Sequence, residues 1–383
     1  MANAWELRRI GECFDERSSR SENGELISVT INSGVIKANE LDRKDISSSN
    51  KTNYKVVHTG DIAYNSMRMW QGASGYSPYE GILSPAYTVI KPKENIYSKF
   101  FAQYFKRNDV IWLFRINSQG LTSDTWNLKF PALSRIYLNV PNINEQIKIA
   151  NYFELLDSLI TLHQRELDNL KVLKKTLLSK MFPKNDEKYP EIRFSGFTDA
   201  WELRKLKDIG KIRTGNTPST SKSENYSKNG IPWVTPTDIN SPIIHNTAKH
   251  LSEIGVKKAR IAKAGSILVT CIASIGKNTM VMRDSGFNQQ INSVSPNEES
   301  DSYFLLTQSE QWSKMMKNIA AAGTMQIINK KEFSNLGFKF PNKVEQQKIG
   351  TLFKHLDSLI TLHQRELDDL KVLKKTLLSK MFV

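Results

Sequence analysis

The sequence predicts an α+β fold in which two globular mixed α/β domains are joined by two long antiparallel helices, with a pseudo-twofold, circular organisation. The first supporting observation is a 27-residue stretch, Leu156 to Phe182, that returns as Leu356 to Phe382 with 26 identical positions. The second is a less exact repeat outside this stretch, because AWELRRI at Ala4 recurs as AWELRKL at Ala200. The third is that the segments between these shared pieces differ. A repeated frame with divergent inserts predicts a symmetric scaffold that presents two different surfaces.

The order of these pieces predicts the domain boundaries. We predict a first domain at 1–144, a long helix at 145–182, a connector at 183–200, a second domain at 201–344 and a C-terminal long helix at 345–383. Within the inserts, turn residues separate short strand-like runs, and a helical stretch follows late in each insert. Each insert is therefore predicted to form a small mixed α+β domain.

The repeated stretch predicts a long helix because apolar residues recur along it at alternating spacings of four and three. We predict that this seam packs the helices through Ile149, Phe153, Leu156, Ile160, Leu167, Leu170, Leu177 and Met181, and through Ile349, Phe353, Leu356, Ile360, Leu367, Leu370, Leu377 and Met381. His163 and Lys174, with their copies His363 and Lys374, interrupt the seam. Polar residues at such positions commonly fix helix register, and we prefer this role to ligand binding.

Further apolar residues widen the stripe beyond a narrow two-helix seam. They are Leu159, Leu162, Val172, Leu173 and Leu178. This width predicts that each helix buries a second face against another protein. The alternative is that the inserts of the chain itself cover these leucines.

Composition favours a protein of the reducing cytosol. The 383 residues suit two domains plus connecting structure. The two cysteines, Cys13 and Cys271, lie far apart and offer neither metal-ligand spacing nor a disulfide framework. No stretch approaches the roughly 20 apolar residues that span a bilayer, so we expect a cytoplasmic protein with no membrane contact.

The net charge of +15 lies mainly in the inserts. Residues 1–144 carry 18 basic and 14 acidic side chains, and residues 201–344 carry 20 basic and 11 acidic ones. The repeated helices are close to neutral by comparison. A basic excess confined to the divergent segments favours inserts that bind a polyanion such as nucleic acid.

Several motifs, in one order along the whole chain, resemble the specificity subunit of Type I restriction-modification systems. The central segment runs from an EQxKI helix start at Glu145 through LLSKMFP into PEIRFSGFTDAWELRKL. The first insert carries GDIAYN at Gly60 and SQGLTSDTWN at Ser118. The second carries RTGNTPS, IPWVTPTDI, GSILVTCIASIGK, FNQQINSV and GTMQIINKKEFSNL. Duplication of the frame at one offset makes the resemblance specific.

The resemblance implies two target recognition domains, each reading one half of a bipartite, asymmetric DNA site. It implies that the long helices set the spacing and dock two methyltransferase subunits, with restriction subunits joining the larger complex. It also implies a chain without catalytic activity, metal or cofactor of its own, in which the partner methyltransferase binds S-adenosylmethionine. The expected ligand of the inserts is double-stranded DNA.

Candidate DNA-binding residues are polar side chains on the loops that follow strand-like runs, because base edges are read by Arg, Lys, Asn, Gln, Ser and Thr. In the first insert they are Asn65, Ser66, Arg68, Trp70, Gln71, Ser84, Gln119, Thr122 and Ser123. In the second they are Thr235, Thr237, Asp238, Ser274, Lys277, Asn288, Gln289, Gln290, Thr324 and Gln326. Each can instead form a turn or a cap, and Trp70 can pack instead of stacking. Gly276 is expected to let the backbone approach DNA closely.

Two other functions remain as alternatives. An independent DNA methyltransferase or nuclease is disfavoured, because the sequence contains no [ND]PP[YF], GxxxxGK[ST], HExxH or GxGxxG motif. A non-catalytic coiled-coil scaffold whose basic domains bind RNA or protein would not need a divergent pair of inserts within a nearly identical frame.

Overall fold

The computed structural model describes residues 5–41, 50–184, 186–322 and 327–382. The chain forms two compact units. Unit 1 comprises Met1–Gln164 and Arg365–Val383, and unit 2 comprises Arg165–Gln364. Each unit therefore contains one globular domain together with segments of both long helices. Mixed α/β domains and two long helices were predicted from the sequence, and this fold class is confirmed.

The helices and strands follow one another in the same general order in both units. The helices are α1 (Ile10–Cys13), α2 (Ser98–Tyr104), α3 (Asn108–Ile116), α4 (Phe130–Leu133), α5 (Ile143–Lys180), α6 (Leu206–Ile209), α7 (Glu253–Lys258), α8 (Ser302–Ala322), α9 (Lys330–Asn335) and α10 (Lys343–Lys380). The strands of unit 1 are β1 (Glu6–Arg9), β2 (Phe14–Glu16), β3 (Ile27–Thr30), β4 (Gly34–Lys37), β5 (Lys55–Val57), β6 (Ile62–Asn65), β7 (Ser74–Tyr76), β8 (Gly81–Leu83), β9 (Tyr87–Pro92) and β10 (Tyr137–Val140). Those of unit 2 are β11 (Glu202–Lys205), β12 (Gly210–Thr214), β13 (Tyr226–Val234), β14 (Ile243–Ile244), β15 (Lys249–Leu251), β16 (Ile261–Ala262), β17 (Ile267–Thr270), β18 (Asn278–Val281), β19 (Ser285–Phe287), β20 (Ile291–Pro296) and β21 (Gly337–Phe340).

Unit 1 is organised around a four-stranded antiparallel sheet ordered β2-β9-β6-β7. Strand pairs β1-β10, β3-β4 and β5-β8 complete its strands. Its main core is aromatic. Phe101 from α2 meets both Phe14 from β2 and Phe100 edge to face, and all three side chains are fully buried. This core fixes the sheet whose strand ends carry the candidate loops.

Unit 2 contains a five-stranded sheet, a four-stranded sheet and the strand pair β11-β21. The five-stranded sheet has the order β12-β20-β17-β18-β14, and the four-stranded sheet has the order β15-β13-β19-β16. Strands β13 and β19 are parallel, with Val234 beside Phe287. Helix α8 packs on the first sheet and buries Trp312 and Phe304 in the core.

The long helices α5 and α10 start in the same way. Asn142 and Asn342 accept a hydrogen bond through Oδ1 from the backbone N–H of Glu145 (3.1 Å) and of Glu345 (3.0 Å), respectively. Such side-chain caps satisfy N–H groups that lack partners within the helix. Both helices contain 38 residues and begin two residues before the predicted boundaries at 145 and 345.

The apolar seam of the helices contributes to the core of each unit. In unit 1, Ile149, Phe153 and Leu156 lie in one cluster with Leu370, Leu377 and Met381. In unit 2, Ile349, Phe353 and Leu356 lie in one cluster with Leu170, Leu177 and Met181. Leu167 and Leu367 are also buried, whereas Ile160 and Ile360 are half-buried.

The polar residues that interrupt the seam pair with carboxylates of the same unit. Lys374 pairs with Asp157 and His163 pairs with Glu366 in unit 1. Lys174 pairs with Asp357 and His363 pairs with Glu166 in unit 2. Because early residues of one helix meet late residues of the other, the two segments in each unit run antiparallel.

The connector packs against unit 2. Arg193 donates two hydrogen bonds to Glu345, at 2.7 and 2.8 Å, and the Glu345 side chain is only 1% exposed. This pairing raises the pKa of Arg193. Phe194 packs against the core of unit 2. The connector therefore joins α5 to β11 and also makes tertiary contacts of its own.

Candidate nucleic-acid interface

In unit 1, two candidate segments meet where strands β6 and β9 lie side by side. Asn65 at the end of β6 is the register partner of Tyr87 at the start of β9. The backbone N–H of Tyr87 donates to the Ser84 carbonyl at 3.0 Å, which closes the turn before β9. This register places the Ser84 turn beside the segment that begins at Asn65.

A third candidate segment, residues 118–127, folds onto the same place. The backbone N–H of Leu128 donates to the Ser66 carbonyl at 2.8 Å. The Trp126 ring meets the Trp70 ring edge to face, with centroids 5.2 Å apart. The Arg115 guanidinium lies over the Trp126 ring at 5.2 Å. The structure thus brings together all three groups of candidates that were chosen in the first insert.

Some of these candidates have structural roles. Ser66 is buried, and its hydroxyl shares a hydrogen bond of 2.8 Å with Thr88, so its burial argues against the predicted DNA contact. Asn65 accepts a bond from the Met67 N–H at 3.0 Å, as a turn former does. Trp70 donates to the Met67 carbonyl at 3.1 Å and packs on Trp126, which favours packing over base stacking.

The remaining candidates of unit 1 reach solvent. Gln119, Thr122 and Ser123 are exposed, and Arg68, Gln71 and Ser84 are half-buried. These six side chains keep donors and acceptors at the surface of one loop cluster. They are the part of the predicted set that remains suited to contact a ligand.

Lys106 fixes the loop that carries Arg68 and Gln71. Its ammonium donates to the Gly72 carbonyl at 2.6 Å and to the Ile31 carbonyl at 3.2 Å. Gly72 closes the short turn that follows Arg68. Burial, with a smaller contribution from Lys374, lowers the pKa of Lys106 to about 8.

In unit 2, the candidate loops meet at the carboxyl ends of the parallel strands β13 and β19. The Asn288 N–H donates to the Val234 carbonyl at 2.9 Å, which joins the two loops. The Cys271 N–H donates to the Gln290 carbonyl at 2.8 Å and adds the loop that follows β17. The described candidates of the second insert therefore also belong to one loop cluster.

The loop after β13 is built around Asp238. This carboxylate accepts from the Thr235 N–H at 2.8 Å, from the Thr235 hydroxyl at 2.5 Å and from the Ala248 N–H at 3.2 Å. The Thr235 and Thr237 hydroxyls lie 2.8 Å apart. Asp238 therefore positions the loop, whereas Thr237 is exposed to solvent.

The loop after β17 presents Lys277 to solvent, and Ser274 beside it is half-buried. The expectation for Gly276 is wrong, because this glycine faces helix α8. A Cβ atom there would lie 3.1 Å from Ser313 Cα, and the Ser313 hydroxyl donates to the Gly276 carbonyl at 2.5 Å. Its φ of +81° further favours glycine. Gly276 therefore lets the loop after β17 pack closely on α8.

The run of amides after β19 is partly committed to its own loop. Asn288 accepts from the Gln290 N–H at 2.8 Å, while Gln289 is exposed and accepts from the Thr217 hydroxyl. Asn288 also donates to Thr217 at 3.4 Å. The last two candidates, Thr324 and Gln326, lie outside the described residues.

Several members of these clusters were not predicted from the sequence. In unit 1 they are Trp126 and Arg115, which lie far along the sequence from Trp70. In unit 2 they are Thr217 and Asn216, whose Oδ1 accepts from the Arg260 N–H at 2.6 Å. The RTGNTPS motif contains both residues and was the available signal.

Within either unit, the described residues hold no group of three His, Cys, Asp or Glu side chains close enough to share a metal ion. Both cysteines are buried, and burial raises the pKa of Cys13 to about 11 and that of Cys271 to about 12. Their thiols stay neutral at neutral pH. No helix among the described residues is long and apolar enough to cross a membrane.

Comparison with known proteins identifies the family. The family described as "Type I restriction modification DNA specificity domain" matches residues 3–172 and 198–372. The chain is 24% identical over 375 residues to the Type I restriction enzyme HindI specificity subunit of Haemophilus influenzae, covering 78% of this chain and 82% of that protein. It is 28% identical over 190 residues to the MjaIX specificity subunit of Methanocaldococcus jannaschii, covering 48% of this chain and 44% of that protein. In fold it is similar to the crystal structure of an S subunit of a Type I system from M. genitalium, with a TM-score of 0.64, 15% identity and coverage of 100% of this chain and 97% of that one.

Proposed function

This chain belongs to the family of Type I restriction-modification DNA specificity subunits, and from that premise we propose that each unit reads one half of a bipartite, asymmetric DNA site. The observation that carries the proposal is the convergence of separate polar loops into one cluster in each unit. The clusters differ in residue type, with Arg68, Gln71 and Gln119 in unit 1 and Thr237, Lys277 and Gln289 in unit 2. Different side chains on matched domains favour two different half-sites.

The charge of the inserts supports DNA as the ligand. Residues 201–344 carry nine more basic than acidic side chains, and residues 1–144 carry four more. Neutralising phosphates releases counterions, so binding of this kind weakens steeply with salt. The second insert should therefore contribute more to the salt dependence of binding than the first.

The second face of the long helices supports docking of other subunits. Val172 and Val372 are 64% and 65% exposed, and Leu162 and Leu362 are both 50% exposed. Leu178 packs against the core of unit 2 and Leu159 is half-buried, so the chain itself covers part of these two side chains. Because the two exposed faces have the same sequence, we propose that two methyltransferase subunits dock on them, with restriction subunits joining the full complex.

The proposal assigns no catalysis, metal or cofactor to this chain. S-adenosylmethionine would be bound by the methyltransferase partner, and the long helices would set the spacer between the half-sites. The comparisons give no support to the alternative of a scaffold that binds RNA or protein.

The test is to co-express the chain with the methyltransferase subunit from its own locus and to map methylated adenines by single-molecule sequencing. One bipartite, asymmetric motif supports the proposal. A stable complex that methylates no motif, or a motif without two separated halves, contradicts it.

Matched loop variants assign the halves. The unit 1 variant is Gln119→Ala with Thr122→Ala, and the unit 2 variant is Lys277→Ala with Gln289→Ala. Each is expected to relax or lose one half of the motif and to leave the other half unchanged. Equal effects of both variants on both halves would contradict the assignment of one half-site to each unit.

A further inference from the structure

Leu121 is the most exposed large hydrophobic side chain in the described part of the chain, at 102%. It lies at the tip of the loop between α3 and α4. Single exposed apolar residues are common on protein surfaces and carry no meaning alone. Leu121 differs because the loop around it is closed, anchored and placed beside the polar residues of the unit 1 cluster.

The loop is closed by its own hydrogen bonds. Gln119 and Asn127 exchange two backbone bonds, at 3.0 and 2.8 Å. Beyond them, the Thr125 hydroxyl donates to the Thr122 carbonyl at 2.9 Å and accepts from the Thr122 N–H at 3.1 Å. These bonds shape the tip before any ligand arrives, and a preformed tip loses little conformational entropy on binding.

Gly120 makes this closure possible. Its φ is +148°, and a Cβ atom at this position would lie 2.6 Å from the Thr125 carbonyl oxygen. Any other residue would push the two sides of the tip apart. The turn therefore depends on glycine immediately before the exposed leucine.

The base of the loop is fixed to the reading surface. The Leu128 N–H donates to the Ser66 carbonyl at 2.8 Å, and Trp126 packs edge to face on Trp70 at 5.2 Å. Arg115 lies over the outer part of this aromatic pair, at 5.2 Å from the Trp126 ring. Leu121 thus projects from a support that also holds Arg68 and Gln71.

The charge at the tip indicates which part of DNA it would meet. Residues 116–128 contain no Lys or Arg and one acidic residue, the exposed Asp124. A tip with a carboxylate and no cation is repelled by phosphates, whereas Asp can accept a hydrogen bond from the guanine amino group in the minor groove. The exposed Arg115 at the base of the loop suits the phosphate backbone instead.

We propose that Leu121 enters a DNA groove and wedges between two neighbouring base pairs of the first half-site. Proteins that insert apolar side chains between base steps unstack them and obtain a bent duplex that contacts more of their surface. Leu121 is then a positioning residue that fixes unit 1 on its half-site. This inference rests on the proposed function, since it needs unit 1 to bind duplex DNA.

The test uses the full chain in complex with its methyltransferase partner and a duplex carrying the methylated motif. 2-Aminopurine is placed at successive steps of the half-site read by unit 1. The wild-type complex is expected to raise the fluorescence at one step, because the probe brightens when unstacked. Leu121→Ala is expected to abolish that rise and to weaken binding by about 10- to 100-fold, the range for burying a leucine side chain.

Leu7→Ala is the matched control. It makes the same change at a leucine of unit 1 that is 67% exposed and lies on β1, away from the long helices. Its assembled complex is expected to keep both the fluorescence rise and the affinity. Leu121→Met, which keeps an apolar side chain of similar volume, is expected to retain most of the signal.

The outcomes separate this inference from the proposed function. If the wild-type complex methylates no bipartite motif, the proposed function fails first. If the motif is methylated and Leu121→Ala matches wild type in affinity and fluorescence, the wedge is refuted. The wedge is also refuted if Leu121→Ala weakens binding although the wild-type complex raises the fluorescence at no step. In that case Leu121 contacts a thymine methyl group if replacing one thymine of the duplex by uracil weakens wild-type binding by the same factor.

Discussion

Lys374 Nζ lies 2.5 Å from Asp157 Oδ1 in unit 1, and the copy of this lysine, Lys174, lies 2.7 Å from Asp357 Oδ1 in unit 2. The two pairs have the same sequence context but different burial. The Asp157 side chain is 43% exposed and also accepts a bond from Gln103 Nε2 at 3.2 Å, whereas that of Asp357 is 17% exposed and also accepts a bond from the Tyr303 hydroxyl at 2.9 Å. One chemical interaction therefore occurs twice in this chain at two levels of solvent access.

This difference predicts unequal effects of the same substitution. Lys174→Met leaves a poorly solvated Asp357 without its cation and should lower the free energy of unfolding by about 2 kcal/mol. Lys374→Met leaves Asp157 in contact with water and should cost about 1 kcal/mol or less. Urea unfolding with hydrogen exchange of peptides from each unit measures both values. Equal losses would contradict the role of burial.

Arg193→Ala is expected to destabilise unit 2 by about 3 to 5 kcal/mol, because it leaves the buried Glu345 carboxylate without its bidentate partner. Arg193→Lys should recover part of the loss, since it keeps the charge but not the two parallel bonds. Trp5→Phe is the matched change in unit 1, where the Trp5 indole donates to Glu145 at 3.0 Å. It should cost about 1 kcal/mol. Denaturant midpoints of the three variants would rank them, and a Trp5→Phe loss as large as that of Arg193→Ala would argue against this account.

The lowered pKa of Lys106 predicts that the free energy of unfolding rises with pH. Its pKa of about 8 in the folded chain lies below the ordinary value of 10.5, so the folded state releases a proton that the unfolded state keeps. Between about pH 8 and 10.5 the unfolded state binds more protons, and unfolding becomes less favourable as pH rises. Below that window Lys106 is charged in both states, and the cost of burying the charge is fully present.

Lys106→Met removes this rise and also the bonds to the Gly72 and Ile31 carbonyls. The difference in urea midpoint between wild type and variant, measured from pH 7.5 to 9.5, isolates the contribution of Lys106 from other titrating groups. It should shift in favour of wild type with increasing pH. Parallel curves for the two proteins would show that Lys106 titrates in the same range in both states.

Gly276→Ala tests whether the loop after β17 needs a glycine at this position to pack on α8. The new Cβ would press on Ser313, so the loop that carries Lys277 should shift, and methylation of motifs through the second half-site should fall. Gly196→Ala is the control, because its φ is +89° but nothing lies within 4 Å of an added Cβ. Both variants carry about 1 kcal/mol of backbone strain. If only Gly276→Ala loses recognition of the second half-site, recognition requires close packing of this loop on α8.

The long helices and the family could be predicted from the sequence because both rest on periodicity and repetition. The seam from Ile149 to Met181 has a single period, and its second copy repeats it. The loop candidates were located as groups for a similar reason, since each follows a strand-like run. Their individual roles could not be predicted, because burial decides them.

Ser66 and Gly276 illustrate this limit. A serine after a strand has the same local sequence context whether its hydroxyl faces solvent or, as here, Thr88. Gly276 faces a helix that lies more than 25 residues later in the chain. Trp126 was missed because its partner Trp70 lies on another segment, and nothing in the local pattern of either residue indicates the other.

The division of the chain into units has a consequence for biosynthesis. Unit 2 is contiguous, from Arg165 to Gln364, whereas unit 1 combines Met1–Gln164 with Arg365–Val383. The Phe382 carbonyl accepts a bond from Arg107 at 2.5 Å, and its ring lies among Trp5, Phe100 and Tyr104. Because a ribosome delivers the chain from its N-terminus, the N-terminal part of unit 1 must wait for Arg365–Val383, which are made after all of unit 2. The second domain to emerge is thus the first that can complete its core, and the order of folding reverses the order of translation.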